Sequence, residues 1–351
     1  MSRSAATVSH ARALAPGFGI HAAVVEPLGR GLINDTFAVN GDDGAYVLQR
    51  VHPIFDPQIH RNIVAVTERL AEQGLVTPRL LPDADGRPWV EREGEIWRLM
   101  TRVRGVSLDV VDDPAQARAA AELLARFHSA LDALDHRFVG LRQGVHDTPV
   151  HLRRLEEAVA EHREHRLWSE VAPLAEAIAR QAERLPPLTG LPDRVVHGDP
   201  KLNNVLFAGS EGPASRHAVC WIDLDTVAPM PLAVELGDAW RSWCNARGED
   251  QAQARFDLEI YRASLAGYWQ GASLPLASEE REALLYGVEW ITVELAARFA
   301  ADALRESYFG WDRARFSAAG EHNLLRARGQ WSLHEAALAV RGERQAALLE
   351  V

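Results

Sequence analysis

Residues 194–207 read RVVHGDPKLNNVLF and residues 218–227 read AVCWIDLDTV, and these two stretches decide the reading of the chain. The first sets His197, Asp199 and Asn204 in the spacing H-x-D-x-x-x-x-N; the second ends an apolar run on Asp223. Moving a phosphoryl group onto a hydroxyl requires a carboxylate near the nucleophile and oxygen ligands that hold magnesium on the ATP phosphates. Asp199, Asn204 and Asp223 make up such a set. Because VVH and NVLF read as short apolar strands, the polar residues between them sit at a strand end, positioned by rigid structure and open to a cleft. A plain polar loop is the alternative reading. Asp225, in the same IDLDT segment, fits either a second magnesium contact or a cap or turn.

Upstream, residues 24–51 alternate apolar runs with Gly, Asn and Asp, which predicts two hairpins. The turn signal NGDDG at 40–44 joins TFAV to YVLQRV as antiparallel neighbours. A helix is predicted over 60–73 with Gly74 as its stop. WVEREG and EIWRLMTRV then form another hairpin across Glu93 and Gly94. Beyond Gly105 the pattern turns helical: from Pro114, the residues Leu123, Leu124, Phe127, Leu131 and Leu134 recur on one helical face. A further helical stretch covers about 151–185, and the chain from Glu235 onward is helical again. This change of character near Val103 divides the chain into 1–103 and 104–351.

At 351 residues, with 47% apolar and 25% charged residues, the chain is an ordinary globular protein large enough for two lobes. Lys and Arg number 38 against 49 Asp and Glu, a net charge of −11 with no basic run, which argues against nucleic acid and anionic membranes as partners. Cys220 and Cys244 are too few for a disulfide framework and lack metal-ligand spacing. The N-terminus has no apolar leader core, and no stretch has the ~18 apolar residues of a membrane span. A cytoplasmic protein is the expectation.

The loop HGDPKLNN resembles the catalytic loop of the protein-kinase-like superfamily of aminoglycoside phosphotransferases and choline kinases. That resemblance implies an α+β, bilobal fold: a small N-terminal antiparallel-sheet lobe with one main helix, and a larger, mostly helical C-terminal lobe with a short β insert carrying the catalytic loop. It implies ATP and Mg2+ as cofactors, Asp199 as catalytic base, Asn204 and Asp223 as magnesium ligands, His197 as a brace, and Lys201 as a γ-phosphate contact. Gly29 and Gly31 are candidates for a hairpin lying close to the phosphates, although an ordinary tight turn reads the same. Kinases of this fold carry a lysine on the third strand, paired with a helix carboxylate. Here YVLQRV offers Gln49 and Arg50 instead, with Glu68 as the candidate partner, and Met100 to Val103 as the hinge facing adenine.

GLINDTF, YVLQRV, IDLDTV with ELGDAWR, and ELAARFAADALRESYF followed by NLLRARGQW are together similar to bacterial N-acetylhexosamine 1-kinases. This likeness implies an amino sugar as the small-molecule substrate, Arg298 and Tyr308 as sugar contacts, and Asn34 and Asp35 in the glycine loop above the active site. From the residues alone, Arg298 also fits an ion pair with Glu294 one helical turn away, and Tyr308 a core position. Kinases of homoserine, choline, methylthioribose or aminoglycosides, and a silent kinase-like binding module, are the alternatives.

Overall fold

The computed structural model describes residues 5–20, 24–29 and 33–351, with side chains from Ser9 onward. By its internal contacts the chain forms two compact units. The first comprises Met1–Gly105, Ala133–Arg142 and Ile222–Val227; the second comprises Val106–Asp132, Gln143–Trp221 and Ala228–Val351. The first thus takes in two short segments far downstream of residue 103, one of them carrying Asp223.

In the first unit a six-stranded antiparallel sheet is built from β1 (Val24–Pro27), β2 (Asp35–Gly41), β3 (Gly44–Val51), β4 (Leu80–Leu81), β5 (Val90–Arg92) and β6 (Glu95–Thr101). The strand order is β1-β2-β3-β6-β4, with β5 also on β6. The β2–β3 hairpin turns at the predicted NGDDG signal, pairing Gly41 with Gly44. At the β5–β6 turn Glu93 and Gly94 both take positive φ, 55° and 76°, the geometry a two-residue hairpin loop requires. The helix α2 (Ile59–Glu72) ends as predicted: Gly74 sits at φ 73° and Leu75 N–H returns to the Leu70 carbonyl.

Strand parity sorts the sheet's faces. Phe37, Val39, Leu48, Trp97 and Leu99 share one face, and a helix that the sequence reading did not assign, α1 (Ala5–Leu14), covers it through Ala11 and Leu14, followed by Ala15, Phe18 and Ile20. Thr36, Gln49 and Arg98 lie on the other face, opposite one another in register.

The second unit is helical: α3 (Pro114–Leu131), α4 (Thr148–Glu161), α5 (Trp168–Ala182), α6 (Leu232–Trp243), α7 (Leu258–Gly271), α8 (Ser278–Arg305), α9 (Ala319–Ala339) and α10 (Arg341–Leu349). The helical stretch expected over about 151–185 consists of two helices, α4 and α5, separated at 162–167. Helix α3 starts on a capping box, Asp113 with Gln116, and Pro114 in its first turn. Helices α6 and α8 cross so closely that a Cβ on Gly287 would lie 2.0 Å from the Ala233 carbonyl oxygen. The β insert comprises β7 (Val106–Ser107), β8 (Asp193–Val196), β9 (Val205–Phe207), β10 (Ala218–Trp221) and β11 (Ala228–Pro231). It pairs β10-β9-β7 and β11-β8, so the HGDPKLNN loop bridges two separate ladders. Among the described residues no helix is long and apolar enough to cross a membrane.

Candidate active site

The loop from His197 to Asn204 leaves β8 through Gly198, whose φ of 79° suits glycine. Glu235, in the first turn of α6 and buried, receives the His197 amide at 3.0 Å and the Gly198 amide at 2.9 Å. One carboxylate thus holds two consecutive backbone donors that would otherwise be orphaned inside the protein. Its Oε1 also lies 3.4 Å from His128 Nε2, whose other ring nitrogen meets the Tyr268 hydroxyl at 2.9 Å. His197 is fully buried against Trp221 and Phe127, and its Nδ1 accepts from the Asp199 amide at 3.3 Å. The Trp243 indole donates to the Pro200 carbonyl at 2.9 Å.

This packing leaves Asp199 partly open, with its side chain 28% exposed. Lys201 Nζ is 2.9 Å from Asp199 Oδ2. Asn204 Nδ2 donates to the Asp199 carbonyl at 2.8 Å and to Oδ2 at 3.1 Å. With its amide hydrogens committed there, Asn204 keeps Oδ1, a hard oxygen donor of the kind magnesium takes.

The same unit carries a continuous field of compensated charge next to this loop. Asp238 of α6 is ion-paired with Arg241 at 2.6 Å, and Arg241 also reaches Glu249. Burial pushes the Asp238 carboxyl up, but the charges of Arg241, His146 and Lys201 outweigh it and hold it below the ordinary range. Glu294 of α8, wholly buried, accepts from Thr148 Oγ1 at 2.7 Å and meets His146 Nδ1 at 3.1 Å and Arg298 at 3.6 Å. Burial acts to lower the His146 pKa, yet Glu294 and Asp238 raise it above the usual value. His146 is also held at φ 53°, a left-handed backbone unusual for a non-glycine residue.

Arg298 therefore makes the helical ion pair with Glu294, and its guanidinium also lies 5.7 Å from the Phe309 ring centroid. Tyr308 is 47% exposed, not a core residue, on a turn whose amides at 307–309 all donate to Asp302.

In the first unit Asp223 has φ 64° and ψ 56°, which costs a non-glycine residue about 1–2 kcal/mol. Asp225 is buried; Arg98 Nη1 donates to one carboxylate oxygen and Asn34 Nδ2 to the other at 2.7 Å. This ties Asp225 into a network with the sheet. Asn34 is likewise buried, its Oδ1 receiving the His52 amide at 2.9 Å.

The expected pairing of Arg50 with Glu68 is corrected. Arg50 shares the α1-covered face of the sheet and is bound there by Asp35 and Glu95, while Gln49 points to the opposite face. Glu68 does not meet Arg50; it lies 3.9 Å from Arg79 and its side chain is 57% exposed. The cation on the Gln49 face is Arg98, whose Nε and Nη2 donate to Gln49 Oε1 at 2.9 and 2.7 Å. Gln49 in turn donates to Thr36 Oγ1 at 3.0 Å. Asp35 is accordingly a partner of Arg50 on β2. Gly29 has φ 68°, Met100 pairs with Val47 and Leu80 within the sheet, and Val103 follows the end of β6. Gly31 lies outside the described residues.

Glu235, Asp238, His146 and Arg98 were not singled out from sequence. The readable signal for the first two was an acidic pair inside the otherwise apolar helix LAVELGDAW.

Comparison with known proteins bears on this geometry. An aminoglycoside phosphotransferase structure from Alicyclobacillus acidocaldarius matches with a TM-score of 0.62 at 16% identity, over 100% of this chain and 98% of that one. The microcompartment-associated aminopropanol kinase also gives 0.62 at 16% identity, over 95% and 98%. Spectinomycin phosphotransferase, solved with ADP and spectinomycin, gives 0.57 at 12%, over 96% and 99%. Identities this low establish a shared fold and leave the substrate open. The model of the phosphotransferase enzyme family matches residues 24–268, well over half of the chain, which therefore belongs to that family of small-molecule phosphotransferases.

Proposed function

We propose that the chain transfers the γ-phosphoryl group of ATP to a hydroxyl of a neutral sugar, best matched by O1 of an N-acetylhexosamine. Asp199 accepts the hydroxyl proton as the oxygen attacks the γ-phosphorus; the bond to the β–γ bridging oxygen breaks and ADP departs. Lys201 contacts the transferred group beside Asp199. Asn204 and Asp223 would hold magnesium, which would supply charge neutralisation on the phosphates. No bond to C1 of the sugar breaks, so the anomeric configuration is retained.

The observation that carries the acceptor class is the pairing of two buried carboxylates in the unit holding Asp199. A cationic acceptor such as choline or an aminoglycoside calls for uncompensated carboxylates. Here Asp238 is neutralised by Arg241, and Glu294 by His146 and Arg298. The half-buried guanidinium of Arg298 and the exposed Tyr308 offer donors suited to hydroxyl and acetamido oxygens. Arg298 and Tyr308 are the proposed sugar contacts. ATP consumption measured over a panel of N-acetylhexosamines, other sugars, amino alcohols and aminoglycosides tests this. Phosphorus NMR should report an anomeric phosphate, and turnover confined to cationic acceptors would refute the reading.

A further inference from the structure

We propose that Arg98 is a positioning residue for magnesium-dependent nucleotide binding, acting through Asp225 on the turn that carries Asp223. This inference rests on the reading of Asp223 as a magnesium ligand.

Arg98 is 2% exposed, too deep to meet a phosphate itself. Its guanidinium is used as a fork. Nε and Nη2 close on Gln49 across the β3–β6 ladder, and Nη1 closes on Asp225. Asn34 holds the other Asp225 oxygen, and the His52 amide fixes Asn34. A rigid sheet thus grips the segment Ile222–Val227 by a side chain two residues from Asp223.

That grip has a local task. Asp223 occupies the left-handed region, a conformation L-residues adopt only when surrounding contacts enforce it. The 224–226 turn directly after it packs on α2 and is tied to the sheet by Asp225. Releasing Asp225 lets Asp223 relax toward ordinary backbone angles and swings its carboxylate away from its bound position. The arrangement also accounts for the missing strand lysine. The charge on this face comes from β6, in register with Gln49, and its carboxylate partner comes from the metal-binding segment instead of from a helix.

The test uses the full chain carrying Arg98→Met alone, Arg98→Met with Asp225→Leu, and Arg98→Lys. Removing one member leaves a lone buried charge, so the single variant is expected to lose stability. Replacing both by apolar residues avoids that penalty and keeps the protein folded. Two readouts apply: amide hydrogen exchange over residues 222–227 in the free protein, and calorimetric affinity for a non-hydrolysable ATP analogue with magnesium or with EDTA. For the double variant we expect exchange at 222–227 to rise about 10-fold or more. The magnesium-dependent gain in affinity should fall by roughly 10-fold, with affinity in EDTA within about two-fold of the parent. Arg98→Lys, which keeps the charge and loses the fork, should fall between. Unchanged exchange and an unchanged magnesium gain in the double variant would overturn the positioning role, as would an equal loss with and without magnesium. A parent protein with no magnesium gain would instead sink the proposed function, and this inference with it.

Discussion

Replacing Glu235 with Gln tests whether one buried carboxylate sets the catalytic loop. In the parent it accepts two amides, at 3.0 and 2.9 Å, in a site 2% exposed. Hydrogen bonds to a charged acceptor are worth about 1.5–3 kcal/mol each, and a buried donor left without a partner costs about 1–3 kcal/mol. Glutamine retains one neutral bond and turns its NH2 toward the second amide. The net loss is therefore about 2–4 kcal/mol. At about 2 °C per kcal/mol, Tm should fall by roughly 4–8 °C. Because the released amides belong to His197 and Gly198, Asp199 is displaced as well, and turnover should drop by about 10- to 100-fold with the ATP KM little changed. Thermal unfolding and steady-state kinetics on the purified variant measure both effects. A Tm within about 1 °C of the parent together with turnover within about two-fold would refute the role given to Glu235.

Asp199→Asn should lower kcat by roughly the 10²–10⁴-fold of a lost general base while nucleotide affinity, read by calorimetry, stays near the parent value. Arg298→Ala should raise the acceptor KM by about 10-fold or more and leave the ATP KM unchanged. Its stability cost should be small, because Thr148 and His146 still hold Glu294, so a large fall in Tm with unaltered acceptor kinetics would reassign Arg298 to structure. Burial lowers His334 to about 4, so the unfolded chain binds the proton more readily and stability should fall as pH drops from about 6.5 toward 4. The His334 contribution is on the order of 3 kcal/mol, and His334→Asn should flatten the slope of urea-unfolding stability over that range. His146, raised by Glu294, has the opposite sign: its contribution is complete below about 6.5 and is lost on going alkaline.

The HGDPKLNN loop was legible because its pattern is local: Asp199, Lys201 and Asn204 lie within six residues of chain, and the structure joins all three side chains. The hairpins and the end of α2 were legible for the same reason, since NGDDG, Glu93–Gly94 and Gly74 each fix backbone angles on the spot. Glu235 was not, because its partners lie 37 and 38 positions away in sequence and only the α6 fold brings them together.

The ambiguity between Gln49 and Arg50 has a more instructive cause. Alternation in a strand tells which residues share a face, and it does not tell which face looks where. In YVLQRV both registers mix apolar and polar members: Val47 and Val51 with Gln49, and Tyr46 and Leu48 with Arg50. Helix α1, invisible as an amphipathic signal in a mostly small-residue segment, decides the matter by covering Leu48, which puts Arg50 on that covered face with Asp35 and Glu95. The same cover explains why Arg98 escaped notice. In EIWRLMT it alternates with Trp97 and Leu99 and shares the opposite face with Ile96 and Met100. With the second face closed as well, by α2 and the 224–226 turn, Arg98 is as buried as its apolar neighbours. Desolvating a guanidinium costs several kcal/mol unless its charge and donors are met. Gln49 and Asp225 form the set that meets it, so a charged residue in a strand covered on both faces implies such a set before any contact is known.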